Sequence, residues 1–434
     1  MAPSNDHIDW FRHTSPYIRA HRGRTFVIYL GNGALDSDQF SHLIHDLSLL
    51  HLLGVRLVLV HATRSEVELA LEALGIPSQL HKGIRVTDSE VLGVVRDVAA
   101  TQRLQLESQL SQGLPDSPMR GARLRVVSGN FITARPVGVV DGVDFLFTGA
   151  VRRLDAIGMA ATLDNQAILL LSPLGFSPTG EAFNLSSDEV ATAAAVALGA
   201  DKLIILDRAE GLCDGDGQLL RQCTVEAARQ LTLSDPEQAM RRDAACRACE
   251  QGVNRVHLLS YERNGALIDE LFTHDGAGTL VSEAAYEQHR SATVDDIAGV
   301  LELVQPLEES GVLVRRSRER LEQEIGNFIV MERDGRVVAC AALYPSTTSD
   351  MAEVACIATH PDYRGDGRGT HLLSLLAAKA TQMGIGKLFV LTTQTTHWFI
   401  EQGFENSSLD NLPEEKKQLY NLQRNSKVLI RRLD

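Results

Sequence analysis

From residue 24 to about 280 two patterns alternate along the chain. Short β-rich runs that are apolar on both faces, at 25–30, 55–60, 167–171 and 202–206, are separated by stretches with helical spacing such as 36–53 and 187–198. Strands without a polar face belong in the middle of a layered unit. The alternation therefore predicts an α/β fold, an open αβα sandwich with a mainly parallel sheet covered by helices on each side. The 187–198 helix has Ser186 or Ser187 to cap it and Gly199 to stop it. A polar stretch follows this unit, and a new helix starts behind Thr293. This divides the chain into a first domain at 1–280, a linker at 281–291 and a second domain at 292–434. The second domain reads helix, helix, strand, turn, strand, strand, glycine loop, helix, strand, helix, strand. Its first two strands form a hairpin across Asp334-Gly335, a type I′ pair.

Composition narrows the function more than the fold. With 434 residues, 44% hydrophobic and 23% charged, the chain can bury large cores in two or three domains. Its 56 acidic residues against 42 basic ones, a net charge of −14, argue against a nucleic-acid or anionic-membrane partner. The N-terminal residues lack the basic segment and apolar run of a signal peptide, and no apolar stretch is long enough to span a bilayer, so the cytoplasm is the expected compartment. Six scattered cysteines fit buried packing better than a disulfide framework. Cys246-x-x-Cys249 falls in a helical segment with no second ligand pair, and Asp214-Gly215-Asp216-Gly217 lacks the closing glutamate of a calcium loop and reads as a hairpin turn; no metal is expected.

The chemistry concentrates at Arg364-Gly365-Asp366-Gly367-Arg368-Gly369, after an apolar strand at 351–358 and before an amphipathic stretch at 370–383. A diphosphate needs several converging backbone N–H donors, and glycine lets main chain approach it closely. A helix opening behind the loop adds free N–H groups and its positive dipole end. This suits an acyl-coenzyme A. Glu353, among small and apolar residues of the preceding strand, reads either as a solvated edge glutamate or as a base for an amine that must lose a proton before attacking a thioester.

These parts, with His360-Pro361-Asp362-Tyr363 before the loop and Trp398-Phe399-Ile400-Glu401-Gln402-Gly403-Phe404 after it, resemble the GNAT N-acetyltransferase superfamily and its Arg/Gln-x-x-Gly-x-Gly/Ala loop. The resemblance implies acetyl-CoA held by Cys356, Ile357, Ala358 and Arg364 through Thr370. Where that superfamily often has a tyrosine to protonate the leaving thiolate this chain has Phe399, which cannot donate a proton; the nearest hydroxyls are Thr392 and Thr393. Gly311 to Arg318, Ala341 to Pro345, Leu391-Thr392-Thr393, His397-Trp398-Phe399 and Lys416 to Lys427 further resemble the bacterial N-acetylglutamate synthase family, over nearly the whole chain. That resemblance implies L-glutamate as acceptor. Arg316 and Arg424 would hold its carboxylates, Ser426 and the backbone at Cys356 would assist, Glu353 would be the base and Thr392 the proton donor.

The first domain resembles the amino-acid kinase family, particularly N-acetylglutamate kinase, through residues 26–33, Gly83-Ile84-Arg85-Val86-Thr87-Asp88, Ser128-Gly129-Asn130 and Asn184 before the helix start at Ser186. Those kinases use two lysines to neutralise charge on the transferred phosphoryl group. Residues 1–280 hold only Lys82 and Lys202, and Tyr29 stands where the strand-end lysine is expected, so the domain reads as a kinase fold without kinase chemistry. Glu270-Leu271-Phe272-Thr273-His274-Asp275-Gly276-Ala277-Gly278-Thr279 resembles the arginine-site signature of arginine-sensitive kinases and synthases. It implies L-arginine as a feedback inhibitor held by Glu270, Gly276, Gly278 and Thr279, with Tyr17 and Lys202 as further candidates. The family also implies a homo-oligomer, a hexamer. Two other readings stand beside this one: a bifunctional kinase and acetyltransferase, and an arginine-binding regulator without catalysis.

Overall fold

Strands with no polar face pack in the middle of a layer, and the computed structural model has them there; it describes residues 6–111, 124–233, 235–273, 276–283, 288–333, 336–364, 367–418 and 426–433. The chain divides into two compact units, residues 1–285 and 286–434. In the first, strands β1 (Thr25–Leu30), β2 (Arg56–His61), β3 (Val126–Val127), β4 (Ile168–Leu171), β5 (Lys202–Asp207), β6 (Gln222–Thr224), β7 (Val256–Ser260) and β8 (Thr279–Ser282) form one sheet in the order β6-β8-β7-β5-β1-β2-β4-β3. Every neighbouring pair is parallel except β7 and β8.

All six residues of β1 are buried, and its side chains alternate between two cores. Val27 and Tyr29 face a core completed by helices α5 (Ala156–Asp164), α6 (Ser187–Ala197) and α7 (Pro236–Glu250). Phe26, Ile28 and Leu30 face the other, which is closed by α2 (Phe40–Leu52), α4 (Ser89–Ser111) and α8 (Ala266–Phe272). Burial of each such side chain is worth roughly 1.5–3 kcal/mol, which is why a central strand tolerates no polar face. Helix α1 (Asp6–His21) joins the second core through Tyr17 and Ile18, and His21 donates from Nε2 to the Leu271 carbonyl at 2.7 Å. Helix α3 (Arg64–Leu74) follows β2.

Helix α6 stops before Gly199, whose φ of 55° is left-handed, as its sequence predicts. Asp214 to Gly217 form a hairpin turn, Asp214 N–H donating to the Gln218 carbonyl at 2.9 Å. Cys246 and Cys249 are packed in the first core from α7. A four-stranded sheet (Ala182–Asn184, Leu174–Phe176, Ile132–Pro136, Gly149–Leu154) was not signalled in the sequence, because its short strands lack a clean alternation of buried and exposed positions.

The second unit holds a sheet in the order β9-β10-β11-β12-β13-β15-β14, from β9 (Gln288–Ser291), β10 (Phe328–Arg333), β11 (Arg336–Pro345), β12 (Met351–Thr359), β13 (Lys387–Thr392), β14 (Glu405–Ser407) and β15 (Lys427–Arg432). Helix α11 (Arg368–Gln382) packs on one face, while α9 (Ile297–Glu309) and α10 (Arg318–Glu324) close the other. Helices α12 (Thr396–Glu401) and α13 (Glu414–Gln418) lie in the connections after β13 and β14.

The expected linker at 281–291 needs correction. Val281 and Ser282 end β8, and Gln288–Ser291 is an edge strand paired antiparallel with β10. Edge strands need no apolar alternation, so its polar residues read as a connector. Its Arg290 donates to both oxygens of Asp296, at 2.7 and 2.8 Å, and to Glu332 at 2.6 Å. Asp296 also closes a reciprocal capping box with Thr293, the cap expected from the sequence. The Arg290 hydrogen bonds, against burial and with help from Thr293, hold the Asp296 carboxyl down at about 2.

A carboxylate depressed below its unfolded value of about 3.9 stabilises the fold above that pH, and its contribution is lost as pH falls toward 2. Asp296→Ala is expected to cost about 1–2 kcal/mol at neutral pH, seen as faster amide hydrogen exchange in α9, and to flatten the acid dependence of that exchange. Unchanged exchange in α9 would show that Asp296 does not hold its start.

Candidate active site

Strand β12 runs parallel to β13 only at Met351, Ala352 and Glu353, opposite Lys387, Leu388 and Phe389. Strand β13 continues beside β15 as far as Thr392, while the edge of β12 beyond Glu353 has no strand partner on that side among the described residues. The cause lies on the other edge. Cys340 pairs with Ala358 and Ala342 with Ala355, so Cys356 and Ile357 together oppose Ala341, and Cys356 takes a φ of 53°. Such a bulge bends a strand and reverses which face its side chains take. Ala355, Cys356 and Ala358 contact the core under α9 and α10, whereas Val354 and Ile357 contact that under α11. Glu353 stands where the two strands begin to part.

Helix α11 opens with Gly367 as N-cap at φ 71°, and no side chain caps it. Gly367 thus supplies a left-handed turn, while Gly369 supplies space: a Cβ there would lie 3.3 Å from the Trp398 ring. Thr370 lies in the first turn and Arg364 is exposed before it. Gly365 and Asp366 lie outside the described residues. The Arg368 side chain is buried, donates from Nη1 to the Tyr363 carbonyl at 2.7 Å and stacks over the Tyr363 ring at 5.5 Å. Its guanidinium braces the turn into the helix.

On the face of β12 toward α10, Lys416 of α13 places Nζ 2.5 Å from Glu353 Oε2. The Tyr344 ring, opposite Glu353 on β11, lies between two cations, Lys416 at 5.8 Å and Arg316 at 5.9 Å. Tyr344 donates its hydroxyl to Glu324 at 2.9 Å, and Glu324 also lies 3.9 Å from Arg316 Nε. The Glu308 carboxylate accepts the Arg316 backbone N–H at 3.0 Å, fixing the turn that carries it. Burial pushes the Cys356 thiol up to about 11 although nearby Arg316 opposes the shift, so it stays protonated at neutral pH. Strand β15 starts at Lys427 opposite Thr392, which places Ser426 just beyond the end of β13. Arg424 lies outside the described residues.

Of the two candidate hydroxyls, Thr392 is engaged with Thr395, oxygen to oxygen at 2.9 Å, and accepts the Thr395 N–H at 3.1 Å. The Thr393 oxygen is buried with no hydrogen-bond partner among the described residues. Phe399 packs edge-on between Trp398 and Phe404 at 4.8 and 5.4 Å, a core position.

In the first unit Lys202 and His257, at the start of β5 and β7, form a buried chain with Glu270. Lys202 Nζ lies 3.3 Å from His257 Nε2, and His257 Nδ1 lies 2.6 Å from Glu270 Oε1. Glu270 Oε2 accepts the Ala277 and Gly278 N–H groups at 2.6 and 3.0 Å. Burial would raise the Glu270 carboxyl, but the hydrogen bonds from His257, Ala277 and Gly278 bring it down to about 2. Burial, then Lys202, lowers His257 below its ordinary value, which keeps it a neutral link between the two charges. The expected division of labour therefore changes. The carboxylate meant for a guanidinium and the amides meant for a carboxylate satisfy each other. A Cβ on Gly276 would meet Glu270 at 2.6 Å, and on Gly278 the Leu258 carbonyl at 2.0 Å, so both glycines permit this packing. Thr279 is fully buried and its hydroxyl accepts the Leu212 N–H at 2.9 Å.

At the other end of the sheet Arg241 of α7 stacks over the Tyr29 ring at 5.4 Å and pairs with Asp207 at 2.5 Å and Asp188 at 3.2 Å. Lys82 instead pairs with Asp141 at the surface. Neither lysine of this unit reaches the end of β1.

Residues 24–260 match the amino acid kinase family and residues 297–404 the acetyltransferase (GNAT) family. An amino-acid acetyltransferase of Azotobacter vinelandii strain DJ is 52% identical over 430 residues, 99% of this chain and 100% of its own. The chain belongs to the amino-acid acetyltransferase family. A Pseudomonas putida member is 51% identical over 98% of each chain. Among solved structures, N-acetylglutamate synthase from Neisseria gonorrhoeae complexed with coenzyme A and L-arginine has a TM-score of 0.91 at 37% identity, covering 98% of this chain and 99% of its own. The same protein complexed with coenzyme A and N-acetyl-glutamate gives 0.64 at 38% identity, with the same coverage.

Sequence reasoning missed four contributors: Lys416, Tyr344, Glu324 and Arg241. Lys416 and Tyr344 lie within segments that carry the family resemblance, but nothing in their spacing ties them to Glu353. The protonated Cys356 bears directly on the chemistry of this family, because a covalent route would need a thiolate there. Cys356→Ala is expected to keep turnover within about threefold of the parent enzyme, with no acetyl-protein detectable by mass spectrometry; loss of about a thousandfold would indicate a covalent role.

Proposed function

We propose that the chain transfers the acetyl group of acetyl-CoA to the α-amino group of L-glutamate, giving N-acetyl-L-glutamate and coenzyme A, the first step of arginine biosynthesis. The observation that carries this reading is Glu353 at the parting of β12 and β13, beside the Tyr344 ring with its two cations. The residues present suit acetyl-CoA: α11 has an uncapped N-terminus, Gly369 admits close approach under Trp398, and the edge of β12 beyond Glu353 has open main chain for an extended amide-bearing arm.

Acetyl-CoA supplies an activated thioester. Arg316, with Lys416 added to the expected Arg424 and Ser426, grips the two carboxylates of the acceptor and turns its amine toward Glu353. Glu353 accepts the ammonium proton on a carboxylate oxygen, which frees the nitrogen lone pair for attack. Thr392 or Thr393 provides a hydroxyl for the departing sulfur, Thr393 being the one without a competing hydrogen bond among the described residues. The protonated Cys356 supports direct transfer with both substrates bound.

The first unit is the regulatory part of this proposal, with L-arginine as inhibitor near Glu270, Lys202, Gly276, Gly278 and Tyr17. Arginine would need to exchange its own guanidinium and carboxylate for the internal bonds of Glu270, a change able to distinguish two conformations. The protein works in the cytoplasm as a homo-oligomer, a hexamer by family resemblance, for which the exposed Ile8, Trp10 and Phe11 of α1 supply apolar surface.

Release of free thiol, followed with L-glutamate as acceptor, tests the reaction. Glu353→Gln is expected to lower kcat by about 10²–10⁴ with little change in acetyl-CoA affinity; full turnover at every pH would remove Glu353 as the base. Glu270→Ala should weaken inhibition by arginine while sparing uninhibited turnover, and undiminished sensitivity would move the regulatory site elsewhere.

A further inference from the structure

In the second unit an amine of the chain itself sits on the carboxylate at the fork of the sheet. Lys416 Nζ lies 2.5 Å from Glu353 Oε2 and 5.8 Å from the centre of the Tyr344 ring. A primary ammonium held between a carboxylate base and a ring face is the arrangement that an acceptor amine has to adopt before it reacts. Lys416 thus presents the reacting group of the substrate at the place of reaction. The opening for the thioester starts at the same residue, because β12 runs beside β13 only as far as Glu353.

The position of this lysine is built rather than incidental. Helix α13 is too short to be stable alone, and it is fixed from both sides. Leu412, just before it, is buried with Met351, Phe389 and Val428 of strands β12, β13 and β15. Glu415 accepts the Thr347 N–H and hydroxyl at 3.2 and 2.7 Å, which ties the helix to the turn between β11 and β12. The neighbouring lysine behaves differently: Lys417 turns to Glu414 of its own helix at 2.7 Å, an exposed pair. Glu353 and Lys416 keep only 14% and 29% of their side-chain exposure. The flexible stem of a lysine lets its Nζ shift toward a bound thioester, to the 3–3.5 Å or so that attack requires, while the helix stays in place.

We infer that Lys416 is a site of self-acetylation: with acetyl-CoA bound and no acceptor present, the enzyme transfers the acetyl group to Lys416 Nζ and inactivates itself. This rests on the reading of Glu353 as the base. Glu353 takes one proton from the ammonium, the nitrogen lone pair bonds to the thioester carbonyl carbon, and the carbon–sulfur bond breaks. Of the two protons that the nitrogen loses, one ends on the sulfur of coenzyme A and the other in solvent; nothing is oxidised or reduced. The resulting amide carries no charge, so the ion pair with Glu353 and a cation for the acceptor's carboxylates are lost together. L-glutamate protects the site. Its own ammonium takes Glu353 while Lys416 turns to a carboxylate, so no acetyl-protein builds up during turnover.

The test incubates the full chain with acetyl-CoA alone and follows acetylation by intact mass and peptide mapping. One acetyl group per chain, on Lys416, is expected, and turnover of L-glutamate should fall in step with the modified fraction. L-glutamate at about ten times its Kd should slow the modification about tenfold. Glu353→Gln should slow it by about 100-fold or more. Lys416→Arg should abolish it, and Lys417→Arg should leave it unchanged. Acetylation no faster at Lys416 than at Lys417, or indifferent to L-glutamate or to Glu353→Gln, would overturn the inference. Thiol release with L-glutamate, measured on the same preparations, checks the base separately: a Lys416 that stays unmodified while Glu353→Gln still stops turnover removes the self-acetylation alone.

Discussion

The second unit depends on one departure from regular pairing: β12 leaves β13 after Glu353. Two parallel strands that stayed paired would use their main-chain donors and acceptors on each other and leave no opening in the sheet. The bulge at Cys356 bends β12 away and reverses its side-chain alternation. One local irregularity therefore opens main chain, puts Ile357 on the α11 side and Cys356 near Arg316, and leaves a carboxylate at the fork. The positive φ at Cys356 is a cost that any non-glycine residue incurs there.

The first unit separates two tasks by the ends of one sheet. Its Lys202 and Glu270 are joined through His257 at one end, so this lysine is unable to serve the other. At that other end Arg241 neutralises Asp188 and Asp207 and stacks on Tyr29. A guanidinium held in this way by two carboxylates and a ring is poorly free to follow a migrating phosphoryl group. The kinase architecture remains because its cores, built on β1 and its neighbours, do not depend on those lysines.

Much of this was legible along the chain. Runs with no polar face became central strands, Gly199 ended its helix, and Thr293 capped the helix after it. The glycine loop, Glu353 and Phe399 were visible because backbone freedom, charge and the absence of a hydroxyl are properties of single residues. Where the Arg368 guanidinium goes was not legible, because it turns inward onto Tyr363, a choice made by packing. The strand Gln288–Ser291 was hidden because an edge strand shows no hydrophobic period.

By itself, then, the sequence determined the layered α/β architecture, the change of unit after the first sheet and the residue types able to act on an acyl group, since these follow from local period and side-chain chemistry. Only the tertiary structure decided which of them meet. Lys416 reaches Glu353 across 63 positions of chain, and Glu270 satisfies the amides once assigned to a ligand. Such pairings depend on how strands part and which way a buried polar group finds its partner, and a buried group left unpaired would cost about 1–3 kcal/mol.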